Sequence, residues 1–100
     1  SEEDLAGIVD IQIERLGALL ADRDLTIELS PEARRELARR GYDPVYGARP
    51  LKRVIKKEIQ NALARRILTG AVREGDRVRV DFVGGEFTFD TATEGALNHG

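Results

Sequence analysis

The 100-residue sequence predicts an α/β fold of the α+β-like kind, with three helices on a short three-stranded sheet in the order α-β-α-α-β-β. Three observations carry this. Two segments, 25–29 and 77–89, alternate apolar and polar residues with the period of a half-buried strand. Three others, 5–21, 31–40 and 50–68, repeat apolar residues with helical spacing. Ser30-Pro31, Pro50 and Gly84-Gly85 punctuate them as helix starts and a hairpin.

In the first helix Leu5, Ile8, Val9, Leu16, Leu19 and Leu20 form one apolar stripe, with Ile13 at its edge, Gln12 inside it and Ile11 nearly opposite. Asp4 is the expected N-cap, and Asp22-Arg23-Asp24 a turn. Leu25-Thr26-Ile27-Glu28-Leu29 then alternates strictly as a strand. Ser30 and Pro31 supply an N-cap and a first-turn proline for the second helix, which buries Ala33, Leu37 and Ala38. Gly41 is expected to stop it in the left-handed conformation.

Residues 41–50, Gly-Tyr-Asp-Pro-Val-Tyr-Gly-Ala-Arg-Pro, hold two Gly, two Pro and two Tyr. The prolines restrict themselves and the residues before them, so a rigid loop is expected, with Arg49 just ahead of a helix N-terminus. The helix from Pro50 ends at Gly70. Leu51, Val54, Ile55 and Ile59 point one way, and Ala62, Leu63 and Ile67 point roughly 80° further round. That predicts either a bend near Gln60-Asn61 or two halves buried against different neighbours. Arg73-Glu74-Gly75-Asp76 reads as a turn. Val78, Val80 and Phe82 alternate with Arg77, Arg79 and Asp81, and Phe87 and Phe89 resume the alternation after Gly84-Gly85. The sheet's inner face is expected to bury Leu25, Ile27, Leu29, Val78, Val80, Phe82, Phe87 and Phe89. Residues 1–90 thus read as one domain and 91–100, without period, as a flexible tail.

Composition bounds the function. Hydrophobic residues at 41% and charged residues at 34% make a globular balance. A formal net charge of −2, from 16 Lys plus Arg against 18 Asp plus Glu, argues against a general polyanion binder. Absence of Cys removes disulfides, thiolate nucleophiles and Cys-type zinc sites, and a single His, at 99, is too few for a histidine metal site. No apolar run is long enough to span a membrane, and the N-terminus lacks the signal-peptide pattern. No phosphate-binding glycine loop or Ser–His couple occurs, so no active site is expected in the chain alone. Beginning at Ser1 and ending on Asn98-His99-Gly100, it reads as a piece of something longer.

One feature invites chemistry. Between Arg49 and Arg66 lie seven basic side chains against Glu58 alone, and Arg49, Lys52, Arg53, Lys56 and Lys57 are expected on one side of the helix. A solvated surface face, a nucleic-acid patch, and a phosphate contact by Arg49 at a helix N-terminus all fit this pattern. Tyr42 and Tyr46 fit a ring-stacking role or simple loop packing.

The segment Gly41-Tyr-Asp-Pro-Val-Tyr-Gly-Ala-Arg-Pro-Leu-Lys-Arg-Val-Ile55 resembles the sensor-two region of the Clp family of AAA+ unfoldases. Ile8-Val-Asp-Ile-Gln12, the 25–31 strand and turn, Ile67-Leu-Thr-Gly70 and Glu74-Gly-Asp76 extend the likeness over residues 5–90. Within the family it is most similar to the C-terminal small (lid) domain of the second AAA+ module of ClpB-type disaggregases. The resemblance implies that Arg49, with Gly47 and Ala48 allowing close approach, reaches the phosphates of ATP, whose Mg is bound by a large domain absent from this chain. It implies partners too: that large domain, a neighbouring subunit of a homohexamer, and, through the full protein, aggregated polypeptides and a DnaK-type chaperone system. It further implies a cytoplasmic stress-response chaperone with a coiled coil elsewhere in the parent, in which this domain regulates and assembles an ATPase without being an enzyme itself. Where relatives carry Glu-Asn-Pro-Leu-Ala, this chain has Gln60-Asn-Ala-Leu-Ala64, and Lys56-Lys57 replaces Gln followed by a basic residue; neither change touches Arg49. The same small domain in a protease-coupled Clp ATPase, and a stand-alone adaptor or nucleic-acid module using helix 50–66, are the competing readings.

Overall fold

A computed structural model describes residues 2–93 of the chain. Helix α1 spans Glu2–Leu19 and a 3-10 turn follows at Ala21–Arg23. Strand β1 is Thr26–Leu29 and helix α2 is Pro31–Arg40. After the 41–50 loop, α3 (Leu51–Ile55), a π turn (Lys56–Gln60) and α4 (Asn61–Thr69) form one helical run. Strands β2 (Asp76–Val83) and β3 (Glu86–Thr93) close the fold. Counting that run as one helix, three helices pack on a three-stranded mixed sheet, in the predicted order. The sheet order is β1-β2-β3, with β1 parallel to β2 and β3 antiparallel to it.

The core follows from the sequence periods. Val9, Ile13 and Leu16 of α1, Ala33 and Leu37 of α2, and Val78 and Val80 of β2 are buried together with Leu51, Ile55, Ile59 and Leu63. Ile27, Leu29, Phe82, Phe87 and Phe89 pack against this cluster half-buried. Leu25 is buried just ahead of β1.

The displaced apolar stripe of the 51–69 run is resolved by the π turn. A π turn hydrogen-bonds i to i+5 and so spends one extra residue, about 100° of α-helical phase. This nearly cancels the roughly 80° offset on the helical wheel, so Leu51, Ile55, Ile59 and Leu63 all enter one core. Around that shared core the halves still meet different neighbours: α3 packs on α1 and α2, while Ala62, Arg65 and Arg66 of α4 line a groove against the β2–β3 hairpin.

Local chemistry explains the boundaries. Ser30 caps α2, its hydroxyl oxygen accepting from the Ala33 N–H at 3.0 Å. The same hydroxyl donates to Asp81 Oδ1 at 2.7 Å, tying the helix start to β2. Gly70 ends α4 in the left-handed region, at φ 82°. Gly84 and Gly85, at φ 61° and 82°, form a two-residue hairpin turn whose backbone matches the strand twist.

Four expectations are corrected. Gly41 is not left-handed, at φ −87°; glycine is needed because a Cβ there would stand 2.5 Å from Leu51 Cδ1 and 2.9 Å from Leu51 Cα. Asp4 lies inside α1 rather than capping it, because the helix already runs from Glu2. Leu19 is 72% exposed, at the rim of an open groove that it shares with Leu16, Ile55, Lys52 and Lys56. Residues 91–93 continue β3, because β2 still offers paired backbone down to Asp76. The remainder of the expected tail, 94–100, lies outside the described residues.

Candidate functional site

The 41–50 loop is held from within and at both ends. Asp43 and Gly47 exchange main-chain hydrogen bonds in both directions, at 2.7 Å each. The Asp43 carboxylate accepts from the Val45 N–H at 2.7 Å and the Tyr46 N–H at 2.9 Å, an Asx turn in which the side chain takes the place of a backbone carbonyl. Gly47 sits at φ 65°, where other residues are strained. From there the Arg49 N–H donates to Tyr46 O at 3.3 Å and the Leu51 N–H to Ala48 O at 3.0 Å, winding the chain into α3. The Gly41–Leu51 contact brings the loop ends together.

This framework presents Arg49 to solvent, with Gly47 and Ala48 half-buried behind it. The Arg49 guanidinium carbon lies 5.2 Å from the centroid of the Tyr46 ring, within cation–π range. Among the described residues no carboxylate pairs with it. Some other arginines are paired, Arg34 with Asp10 at 3.0 Å, Arg40 with Glu36 at 2.6 Å and Arg77 with Glu28 at 3.6 Å. Arg53 and Arg65, like Arg49, are exposed without a carboxylate partner among the described residues. Arg49 is thus a cation oriented by an aromatic ring but left with its charge uncompensated, which suits an anion arriving from outside the chain.

The other basic residues do not share one side, contrary to expectation. Lys52 and Lys56 line a groove against Gln12 and Arg15 of α1, whereas Lys57, Arg65 and Arg66 line another against Arg40 and the β2–β3 hairpin. Consecutive positions differ by about 100° around a helix, so Lys56 and Lys57 point into distinct grooves, one against α1 and the other against the hairpin. Among the described residues these cations are thus divided between two grooves and form no single stripe of the kind that tracks a nucleic-acid backbone. Among the described residues no group of three His, Asp or Glu side chains is placed to hold a metal ion, and no helix is long and apolar enough to cross a membrane.

A second charged cluster is one that sequence reasoning did not single out. The Arg40 guanidinium carbon lies 5.1 Å from the Phe87 ring centroid and 5.5 Å from that of Phe82, and Arg40 Nη1 is 3.6 Å from Glu58. Glu36 receives both Arg39 and Arg40. The Arg39 hydrogen bond, opposed by burial and reinforced by Arg40, holds its pKa down at about 2. Asp81 is likewise held below the usual carboxylate range, first by the Ser30 hydroxyl and then by the Phe82 N–H. The i, i+4 spacing of Glu36 and Arg40 was visible in the sequence; the placement of Arg40 on the hairpin aromatics was not.

Comparison with known proteins agrees with this architecture. Residues 1–80 match the family described as the C-terminal, D2-small domain, of ClpB protein. The chain is 56% identical over 78 residues to the chaperone protein ClpB of Brucella suis biovar 1, covering 78% of this chain and 9% of that protein. It is 53% identical over 85 residues to the Corynebacterium efficiens ClpB, covering 85% of this chain and 10% of the relative. For the Aquifex aeolicus ClpB the identity is 48% over 86 residues, or 86% of this chain and 8% of the relative. The chain therefore spans about a tenth of the length of the relatives it matches. By a family match over four-fifths of its length and a fold of three helices on a mixed sheet, the chain belongs to the ClpB C-terminal D2-small domain family.

Proposed function

We propose that this domain regulates and helps assemble an ATP-driven protein disaggregase, with Arg49 as its sensor-two arginine. The observation that carries the reading is the uncompensated Arg49 guanidinium, oriented by Tyr46 on a loop braced by Asp43, Gly47 and the Gly41–Leu51 contact. A fixed arginine fork suits the terminal phosphate of ATP, whose charge changes on hydrolysis. The nucleotide and its Mg would be bound chiefly by the large domain, and Arg49 would complete the site. Because the loop is rigid, losing that phosphate contact would alter the angle between the small and large domains. In a ring of subunits, with the small domain seated on the neighbouring large domain, such a change would pass to the next subunit. Residues 1–90 would act as one unit in this role, in a cytoplasmic hexamer working with a DnaK-type system on aggregated protein.

The test is Arg49→Ala in the full-length parent. ATP turnover, or its coupling to disaggregation, is expected to fall while the hexamer and the fold of this domain persist. Wild-type turnover together with wild-type disaggregation would overturn the reading.

A further inference from the structure

The longest free edge of the sheet is β3, and its geometry can be worked out from the register. Val80 faces β1 with its carbonyl, which accepts from the Ser30 N–H at 2.8 Å. In an antiparallel ladder, residues alternate between directing their main-chain groups toward one neighbour and toward the other. Val80 pairs with Phe89, so that pair exchanges no bonds across β2–β3. The N–H and C=O of Phe87, Phe89 and Thr91 consequently face away from β2. Among the described residues the sheet has no strand beyond β3. Edge strands are ordinarily blunted by shortness, Lys, Pro or a bulge. Strand β3 has eight residues, Glu-Phe-Thr-Phe-Asp-Thr-Ala-Thr, without Lys or Pro, and its register with β2 is unbroken.

Beside this edge lies a groove of about 300 Å³ between the helical run and the hairpin. Four cations line it: Arg40, Lys57, Arg65 and Arg66. Two are already oriented, Arg40 over Phe87 and Arg66 over Phe89 at 4.4 Å. Lys57 and Arg65 are exposed, and among the described residues neither has a carboxylate partner. Of the two acids there, Glu58 is already engaged by Arg40, leaving Glu86.

We infer that the β3 edge is a docking site for an extended polypeptide carrying acidic side chains at alternate positions, added as a fourth strand. Its main chain would pair with Phe87, Phe89 and Thr91. Every second side chain would lie on the face of Phe87 and Phe89, toward the cationic wall. A second copy of this chain fits less well, since antiparallel edge-to-edge pairing would bring two such cationic walls onto one face. The inference is independent of the role proposed for Arg49.

The experiment uses the full 100-residue chain and a fluorescein-labelled peptide of alternating valine and glutamate, with a valine–lysine peptide as control, read by fluorescence anisotropy. Saturable one-to-one binding of the acidic peptide alone is expected. It should weaken roughly tenfold or more in Lys57→Gln/Arg65→Gln, whose exposed side chains leave the fold unaltered by circular dichroism. It should weaken similarly in Thr91→Pro, which removes an outward N–H from an edge position that tolerates proline. Three results would overturn the inference: no saturable binding to the wild-type chain, binding unaltered by Thr91→Pro (charge adhesion without strand addition), or self-association abolished by Thr91→Pro (a second copy on the edge).

Discussion

Gly41 and Leu51 touch so closely that a single methyl group on Gly41 would stand 2.9 Å from the Leu51 Cα. This contact joins the end of α2 to the start of α3 and closes the loop that carries Arg49. Gly41→Ala should therefore cost about 1–3 kcal/mol through overpacking, seen as a lower Tm. In the parent it should also impair ATP turnover, because Arg49 loses its frame. An unchanged Tm would show that the contact does not brace the loop.

Ser30 serves two elements at once, capping α2 and donating to Asp81 of β2. Ser30→Ala should destabilise the chain by roughly 2 kcal/mol, combining a lost cap with a carboxylate deprived of a donor. Adding Asp81→Asn to Ser30→Ala should cost less than the sum of the two single changes. Strict additivity in urea denaturation would separate the two roles.

Glu36 supplies the pH dependence. Its pKa is lower in the folded chain than in the unfolded one, so the unfolded state binds the proton more readily. Its contribution is complete above the ordinary glutamate range and is lost as the pH falls toward about 2. Glu36→Gln should lower stability near neutral pH and flatten the acid limb of the stability profile over that window. An acid limb identical to wild type would refute the assignment.

Most of the architecture was legible because period and punctuation agreed. The alternation of Val78, Val80 and Phe82 meets its turn at Gly84-Gly85, and Ser30-Pro31 opens α2 where the strand pattern stops. The candidate loop was legible as a rigid element, and Arg49 as the residue it presents. What could not be read depended on contacts distant in sequence. The helical wheel showed the rotated stripe after Ile59, but only the packing of Ile55, Ile59 and Leu63 into one core reveals a π turn as the solution. Gly41 signalled a special backbone, yet its reason is the approach of Leu51, ten positions away. Asp81 read as an outward residue of an alternating strand until Ser30 was placed beside it.

Arg49 itself should contribute little to folding. It is exposed, and among the described residues its side chain engages only the Tyr46 ring, so Arg49→Ala should change the stability of this chain by no more than about 0.5 kcal/mol. A substantial loss of Tm would make it a structural residue.

Calorimetric titration of ATP and ADP into the full-length parent, wild type and Arg49→Ala, with this 100-residue chain titrated in parallel, tests the central claim most directly. The account predicts that Arg49→Ala weakens ATP binding more than ADP binding, and that the isolated chain binds either nucleotide weakly or not at all. Equal nucleotide affinities in wild type and variant, or tight saturable binding by the isolated chain, would contradict it.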